Sequence, residues 1–277
     1  MKLTVLVDNQ TLIDRYFRAE PGAAFWLEAD GKRILFDTGY SDLFLENGRK
    51  MGIEPTLADH VVLSHGHNDH TWGLGALVTS LTERHTELGQ THRPVLTAHP
   101  ETLLPKRYEG QPIGSLLGED TLARHLELRF SRGPLRLTEH LHWLGEIPRR
   151  HSFEGREPLG EALGSGGWAP DRLSDDSALA WQGPQGLVIV TGCSHAGICN
   201  IVSQAMDVTG EGRIRAVIGG FHLLKPEPEK LAAVIRFFRD IGVQKLHACH
   251  CTGFAARAAF AAVLDQEDIG VGSVLEF

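Results

Sequence analysis

The segment Ser64-His65-Gly66-His67-Asn68-Asp69-His70 gathers three imidazoles and a carboxylate. On extended backbone, residues two apart face the same side, so His65 and His67 can offer ring nitrogens to one ion. Asp69 and His70, where the chain bends toward a helix, can face a second. Imidazole mixed with carboxylate suits a borderline divalent cation: zinc, with manganese or iron as alternatives. A lone histidine here would most often be a satisfied core or loop residue. The combined pattern, at the end of a β-branched run, argues for a metal.

That run, His60-Val61-Val62-Leu63, is too short for a helix and reads as a strand delivering the polar loop. Three later histidines repeat the arrangement. His195 follows an expected strand Leu187 to Val190, His222 follows Ala216 to Gly219, and His250 follows Lys245 to Ala248. Neighbouring strand ends of one sheet open into one cleft, so His195 and His250 are expected as ligands and His222 as a ligand or an active-site acid. Asp37 ends a strand that begins at Arg33. It could accept a hydrogen bond from a ligand imidazole and fix its tautomer, or serve only as a turn or cap.

The elements around these residues are legible in part. Strands are expected at Lys2 to Val7, Ala23 to Glu28 and Arg33 to Asp37, the last two joined by the turn pair Asp30-Gly31. Helices are expected at Asp42 to Met51, Gly73 to Leu81, Gly197 to Val208, Glu227 to Ile241 and Gly253 to Leu264. Further strands fall at Pro94 to Ala98 and Ala178 to Trp181. Pro100 to Asp175 has little pattern and reads as an elaboration near a substrate entrance, with hairpins around Leu126 to Phe130 and Leu135 to Leu144. Its Arg107, Arg149, Arg150 and Arg156 are solvated side chains or, alternatively, a grip for phosphate. His99 and His151 sit near that entrance, whereas His85, His92, His125, His140 and His142 read as surface residues.

Composition narrows the function. With 277 residues, 42% of them hydrophobic and 22% charged, the chain can bury a large core as a single domain. Net charge −8 is the wrong sign for gathering phosphate backbones, so a small-molecule substrate is expected rather than nucleic acid. No apolar run is long enough for a membrane span, and the first residues lack signal-peptide character, so a cytoplasmic location is expected. Cys193, Cys199, Cys249 and Cys251 are then expected as thiols.

His65-x-His67-x-Asp69-His70 resembles the H-x-H-x-D-H signature of the metallo-β-lactamase fold superfamily, and Phe36-Asp37-Thr38-Gly39 matches its earlier strand-end aspartate. Asn9, Leu63-Ser64-His65-Gly66-His67, Thr191-Gly192-Cys193-Ser194-His195-Ala196-Gly197, Gly219-Gly220-Phe221-His222-Leu223 and His250-Cys251-Thr252-Gly253 extend the likeness. They resemble the branch of metal-dependent hydrolases related to 7,8-dihydropterin-6-methyl-4-(β-D-ribofuranosyl)aminobenzene-5′-phosphate synthase. The resemblance implies a four-layer αβ/βα sandwich with two central mixed sheets and metals at one edge. It implies a hydrolase acting through a metal-bound hydroxide on a small phosphorylated or ester-type metabolite, including a pterin-related one. In that reading Asp69 orients the hydroxide and His222 meets the developing charge or the leaving group.

Two departures stand out. The family's bridging aspartate would fall near Cys193, and its third histidine just before Ala178, where Asp175 and Asp176 stand. His195 is expected to complete the first site, Cys193 and Asp176 stay open, and so does the choice between one metal and two. The competing functions are an iron redox protein, whose relatives carry glutamate where His67 stands and a fused flavin domain, and a non-catalytic metal-binding or ligand-sensing module.

Overall fold

Alternate residues of the apolar strands enter different cores, the behaviour expected of sheets covered on both faces. Phe25, Leu27, Ile34 and Phe36 point into one core and Ala24, Trp26 and Leu35 into another. Val188, Val190, Ala216 and Ile218 join the first of these from a second sheet, while Leu187, Ile189 and Val217 face away. In this computed structural model, which describes residues 1–277, the result is helix, sheet, sheet, helix. The expected mixed α/β sandwich is the observed architecture.

The first sheet has seven strands in the order Val274–Glu276, Lys2–Val7, Ala24–Ala29, Lys32–Phe36, His60–Val62, Val95–Ala98 and Glu127–Phe130. Its pairs are antiparallel up to Lys32–Phe36 and parallel beyond. The second has six, in the order Leu246–Cys249, Ile214–Gly220, Gly186–Thr191, Ala178–Gly183, Leu141–Trp143 and Leu135–Arg136. Its first three are parallel and in register at their ends, Thr191 opposite Gly219 and Gly220 opposite Cys249. Helices Leu43–Lys50 and Leu74–Leu88 cover the first sheet; Ile198–Thr209, Pro228–Ile241 and Phe254–Ala261 cover the second. No helix is long and apolar enough to cross a membrane.

Two expectations need correction. The helix expected to stop at Leu81 runs to Leu88 and ends on Gly89 in the left-handed conformation, φ 64°. Its apolar stripe ends at Leu81, but helix-favouring Glu83, Arg84 and Glu87 carry it on to the glycine cap. Leu126 to Phe130 is not a hairpin: Glu127–Phe130 pairs in parallel with Val95–Ala98 as the sheet edge. Leu135–Arg136 and Leu141–Trp143 do form the expected hairpin, built onto Ala178–Gly183. The remaining part of 100–175 adds a third, four-stranded sheet in the order Gly167–Pro170, Glu161–Gly164, Lys106–Tyr108 and Gln111–Pro112.

Candidate metal centre

Strand ends supply the site. His65 and His67 leave the strand His60–Val62, and the short helix Asn68–Thr71 carries Asp69 and His70. Cys193 and His195 follow Gly186–Thr191, and His250 follows Leu246–Cys249. The structure brings these seven side chains into two adjoining groups. Donor atoms of His65, His67 and His195 lie within 4.8 Å of one another, as do those of Asp69, His70, Cys193 and His250.

In the first group, His65 Nε2 and His67 Nδ1 are 3.1 Å apart. Two nitrogens held by one tetrahedral zinc at about 2.0 Å are separated by roughly 3.3 Å. His67 Nε2 and His195 Nε2 are buried without a hydrogen-bond partner. Burial, reinforced by the neighbouring imidazoles, holds His65 and His195 well below the ordinary histidine range. Burial and then Lys106 bring His67 to about 4. The group is therefore neutral at neutral pH, the state in which imidazole lone pairs can bind a cation.

In the second group, Cys193 Sγ lies 3.2 Å from both His70 Nε2 and His250 Nε2, and Asp69 Oδ2 is 3.6 and 3.4 Å from the same two nitrogens. Burial opposes a charge on His70, but Asp69 and Asp37 raise it to about 9, so without a cation this ring is charged at neutral pH, and a cation bound here would displace the Nε2 proton. Thiol, imidazole and carboxylate in a buried cluster form a donor set suited to a divalent transition metal.

Asp37 connects the two groups. It is fully buried, its Oδ1 accepts from the Ser64 backbone N–H at 2.7 Å, and its Oδ2 receives both the Ser64 hydroxyl and His70 Nδ1 at 2.7 Å. With the Ser64 proton donated to Asp37, Ser64 Oγ is left to accept from His65 Nδ1 at 2.9 Å. The network so assigned puts a proton on Nδ1 of His65 and of His70 and turns both Nε2 atoms inward. Asn9 Oδ1 treats His250 Nδ1 in the same way, at 2.9 Å.

His222 lies outside both groups. Its exposed ring packs against His195 at a tilt of 50°, centroids 4.3 Å apart, and lines a cleft of about 410 Å³ with His195, Glu154, Arg156 and Lys230. A second cleft of about 500 Å³ reaches His67 and Asp69 between Pro21, Tyr40, Tyr108, Ile113 and Leu159. Of the other arginines, Arg107 pairs with Glu161, Arg149 donates to the Ile147 and Leu173 carbonyls, and Arg150 pairs with Asp207. His99 is buried against Glu146 and His151 packs on Phe153 and Phe237.

Asp176, open as a ligand on sequence grounds, and Asp175 beside it make other contacts. Asp175 bonds Lys106 Nζ and the Gly66 N–H, and Asp176 Oδ2 accepts the Ala196 N–H at 2.7 Å. Sequence reading missed Ser64 and Lys106. Ser64 could have been suspected from its place beside His65, whereas a single lysine in unpatterned sequence gives no signal.

The comparisons with known proteins bear on the family and the fold. The family model described as the metallo-β-lactamase superfamily matches residues 18–153. The chain is 31% identical, over 100% of its length and 97% of the relative's, to a protein of Methanocaldococcus jannaschii named 7,8-dihydropterin-6-methyl-4-(β-D-ribofuranosyl)-aminobenzene-5′-phosphate synthase. A crystal structure of a metal-dependent hydrolase of the β-lactamase superfamily superposes with TM-score 0.83 at 30% identity, covering 100% of this chain and 99% of that one. A metallo-β-lactamase fold protein of Bacillus subtilis shares the fold at 15% identity, TM-score 0.59, covering 100% and 99% of the two chains. Matched along its whole length by relatives of this identity, the chain belongs to the metallo-β-lactamase superfamily.

Proposed function

We propose that the protein is a metal-dependent hydrolase of a small phosphorylated or ester-type metabolite, pterin-related compounds included. The observation that carries this reading is the pair of buried donor groups, oriented by one aspartate and bordered by two clefts. His65, His67 and His195 would hold one cation; Asp69, His70, Cys193 and His250 would hold a second, with zinc the first choice and manganese or iron alternatives. A divalent cation so held lowers the pKa of water toward neutrality and polarises a phosphoryl or carbonyl oxygen.

The chain's own residues supply the rest. Asp37 and Ser64 keep the ligand tautomers fixed. Asp69, with its side chain 27% exposed, reaches the cleft and is placed to orient a nucleophilic water. His222 faces the other cleft and is placed to neutralise a developing oxyanion or protonate a leaving group. In this reading the whole chain is one catalytic domain, and residues 100–175 shape its entrance.

The relative named a synthase favours a second reading, transfer to a nucleophile other than water at the same centre. Metal analysis and an assay against phosphoesters and lactones test the first. One to two equivalents of metal are expected, lost from the three-histidine group in the double variant His65→Ala, His67→Ala. Unchanged metal content in that variant refutes the assignment. Incorporation of oxygen from labelled water into the product separates hydrolysis from transfer.

A further inference from the structure

Lys106 lies in the third sheet and is 2% exposed, unusual for a lysine. Its ammonium donates to Asp171 Oδ2 at 2.6 Å and Asp175 Oδ1 at 3.0 Å, both carboxylates buried. A buried ion cluster of this kind seldom stabilises a fold more than apolar side chains of the same volume would. Its connections suggest another use. Asp175 Oδ2 accepts at 2.8 Å from the N–H of Gly66, the residue between His65 and His67. Gly66 is pressed so closely on this element that a Cβ there would lie 2.1 Å from the Thr102 carbonyl oxygen and 2.8 Å from Lys106 Cε.

The same hairpin reaches the ligand loop twice more. The Ile113 carbonyl accepts from Asn68 N at 2.7 Å, and the Gly114 carbonyl from Trp72 Nε1 at 2.8 Å. On the other side, Asp176 holds the N–H of Ala196, next to His195. Two consecutive acids thus grip the two distant segments that provide the three histidines.

We propose that Lys106 is a positioning residue for the three-histidine group: it locks Asp175 onto Gly66 so that the Asp175-Asp176 pair sets the spacing of His65 and His67 against His195. Lys106 is not a ligand, and its part is to hold a carboxylate. The third sheet is then a component of the metal site's frame as well as a wall of its entrance. This rests on the metal reading above.

The test uses Co²⁺ on the full-length, metal-stripped protein, read by its visible absorption and by competition with a chelator. Lys106→Met should weaken Co²⁺ binding about 10- to 100-fold, the usual effect of losing an outer partner of a metal ligand, and shift the absorption bands. Because that change leaves two buried acids without their cation, Lys106→Met with Asp171→Asn serves as a second variant and should behave alike. Val234→Ala, in the core beneath the second sheet, should lower thermal stability while leaving affinity and spectrum unchanged. The proposal is overturned if the folded Lys106 variants bind Co²⁺ with the wild-type spectrum and within about threefold of its affinity. It is also overturned if Val234→Ala weakens binding as much as they do. Wild-type protein that takes up no Co²⁺ overturns the metal reading itself, and this inference with it.

Discussion

Asp37 receives hydrogen bonds from Ser64 and His70 and, through the Ser64 hydroxyl, orients His65. One buried carboxylate therefore sets tautomers in both donor groups, from a backbone in the left-handed region, φ 59°, which aspartate tolerates better than most residues. Asp69 differs from it in being partly exposed. Burial would raise its pKa, but His70 and His250 hold the carboxyl well below the usual carboxylate range. It is therefore ionised throughout the neutral range, as the proposed role of orienting a nucleophile requires. Asp69→Asn is expected to leave the fold intact and to lower turnover on an identified substrate by roughly two to four orders of magnitude. A loss below tenfold in steady-state kinetics would remove Asp69 from that role.

Among the elements, the helix Ile198–Thr209 has an unusual start. Its N-cap Gly197 offers no side chain, and Glu154, from the distant loop between Leu141–Trp143 and Glu161–Gly164, accepts the Asn200 N–H at 2.8 Å instead. A carboxylate at a helix N-terminus is favourable, but burial dominates and pushes Glu154 up to about 7 from an ordinary 4.5. The folded protein then binds this proton more tightly than the unfolded chain. Stability from this group is complete below pH 4.5 and declines as pH rises to 7, by about 3 kcal/mol in total. Glutamine keeps the acceptor and removes the charge. Glu154→Gln should accordingly gain on the wild type between pH 5 and pH 8.5 in urea unfolding, and a pH-independent difference would contradict the assigned shift.

At the scale of the whole molecule, three cores are stacked, and the middle one joins the sheets whose edges carry the two donor groups. Leu179, fully buried, belongs to that middle core with Phe25, Phe36, Trp143 and Val190. Leu179→Ala should cost about 2–5 kcal/mol in denaturant unfolding, from lost burial and the cavity left behind. Metal content of the folded variant should not change, since no ligand is altered. A large loss of metal from a fully folded Leu179→Ala protein would mean that sheet packing, and not the strand-end loops, sets the site.

The sequence by itself determined the histidine-rich loop at 64–70, the strands that end at it and the histidines that follow three later strands. Those features are local: donor types a few residues apart, period-two alternation, and glycine or aspartate at turns. They also sufficed to place His195 and His250 at one edge, because parallel strands in register end together. Only tertiary structure decided that Cys193 joins His70 and His250, that Asn9 and Ser64 bond the rings of His250 and His65, and that Asp175 and Asp176 bond backbone N–H groups. It also placed His222 on the cleft side of His195 and brought Lys106 beneath the ligand loop. The physical reason is that periodicity assigns a residue to a face but does not name its neighbour on the next segment. A hydrogen bond about 3 Å long depends on how segments far apart in the chain pack together, and that is set by the register and stacking of whole sheets.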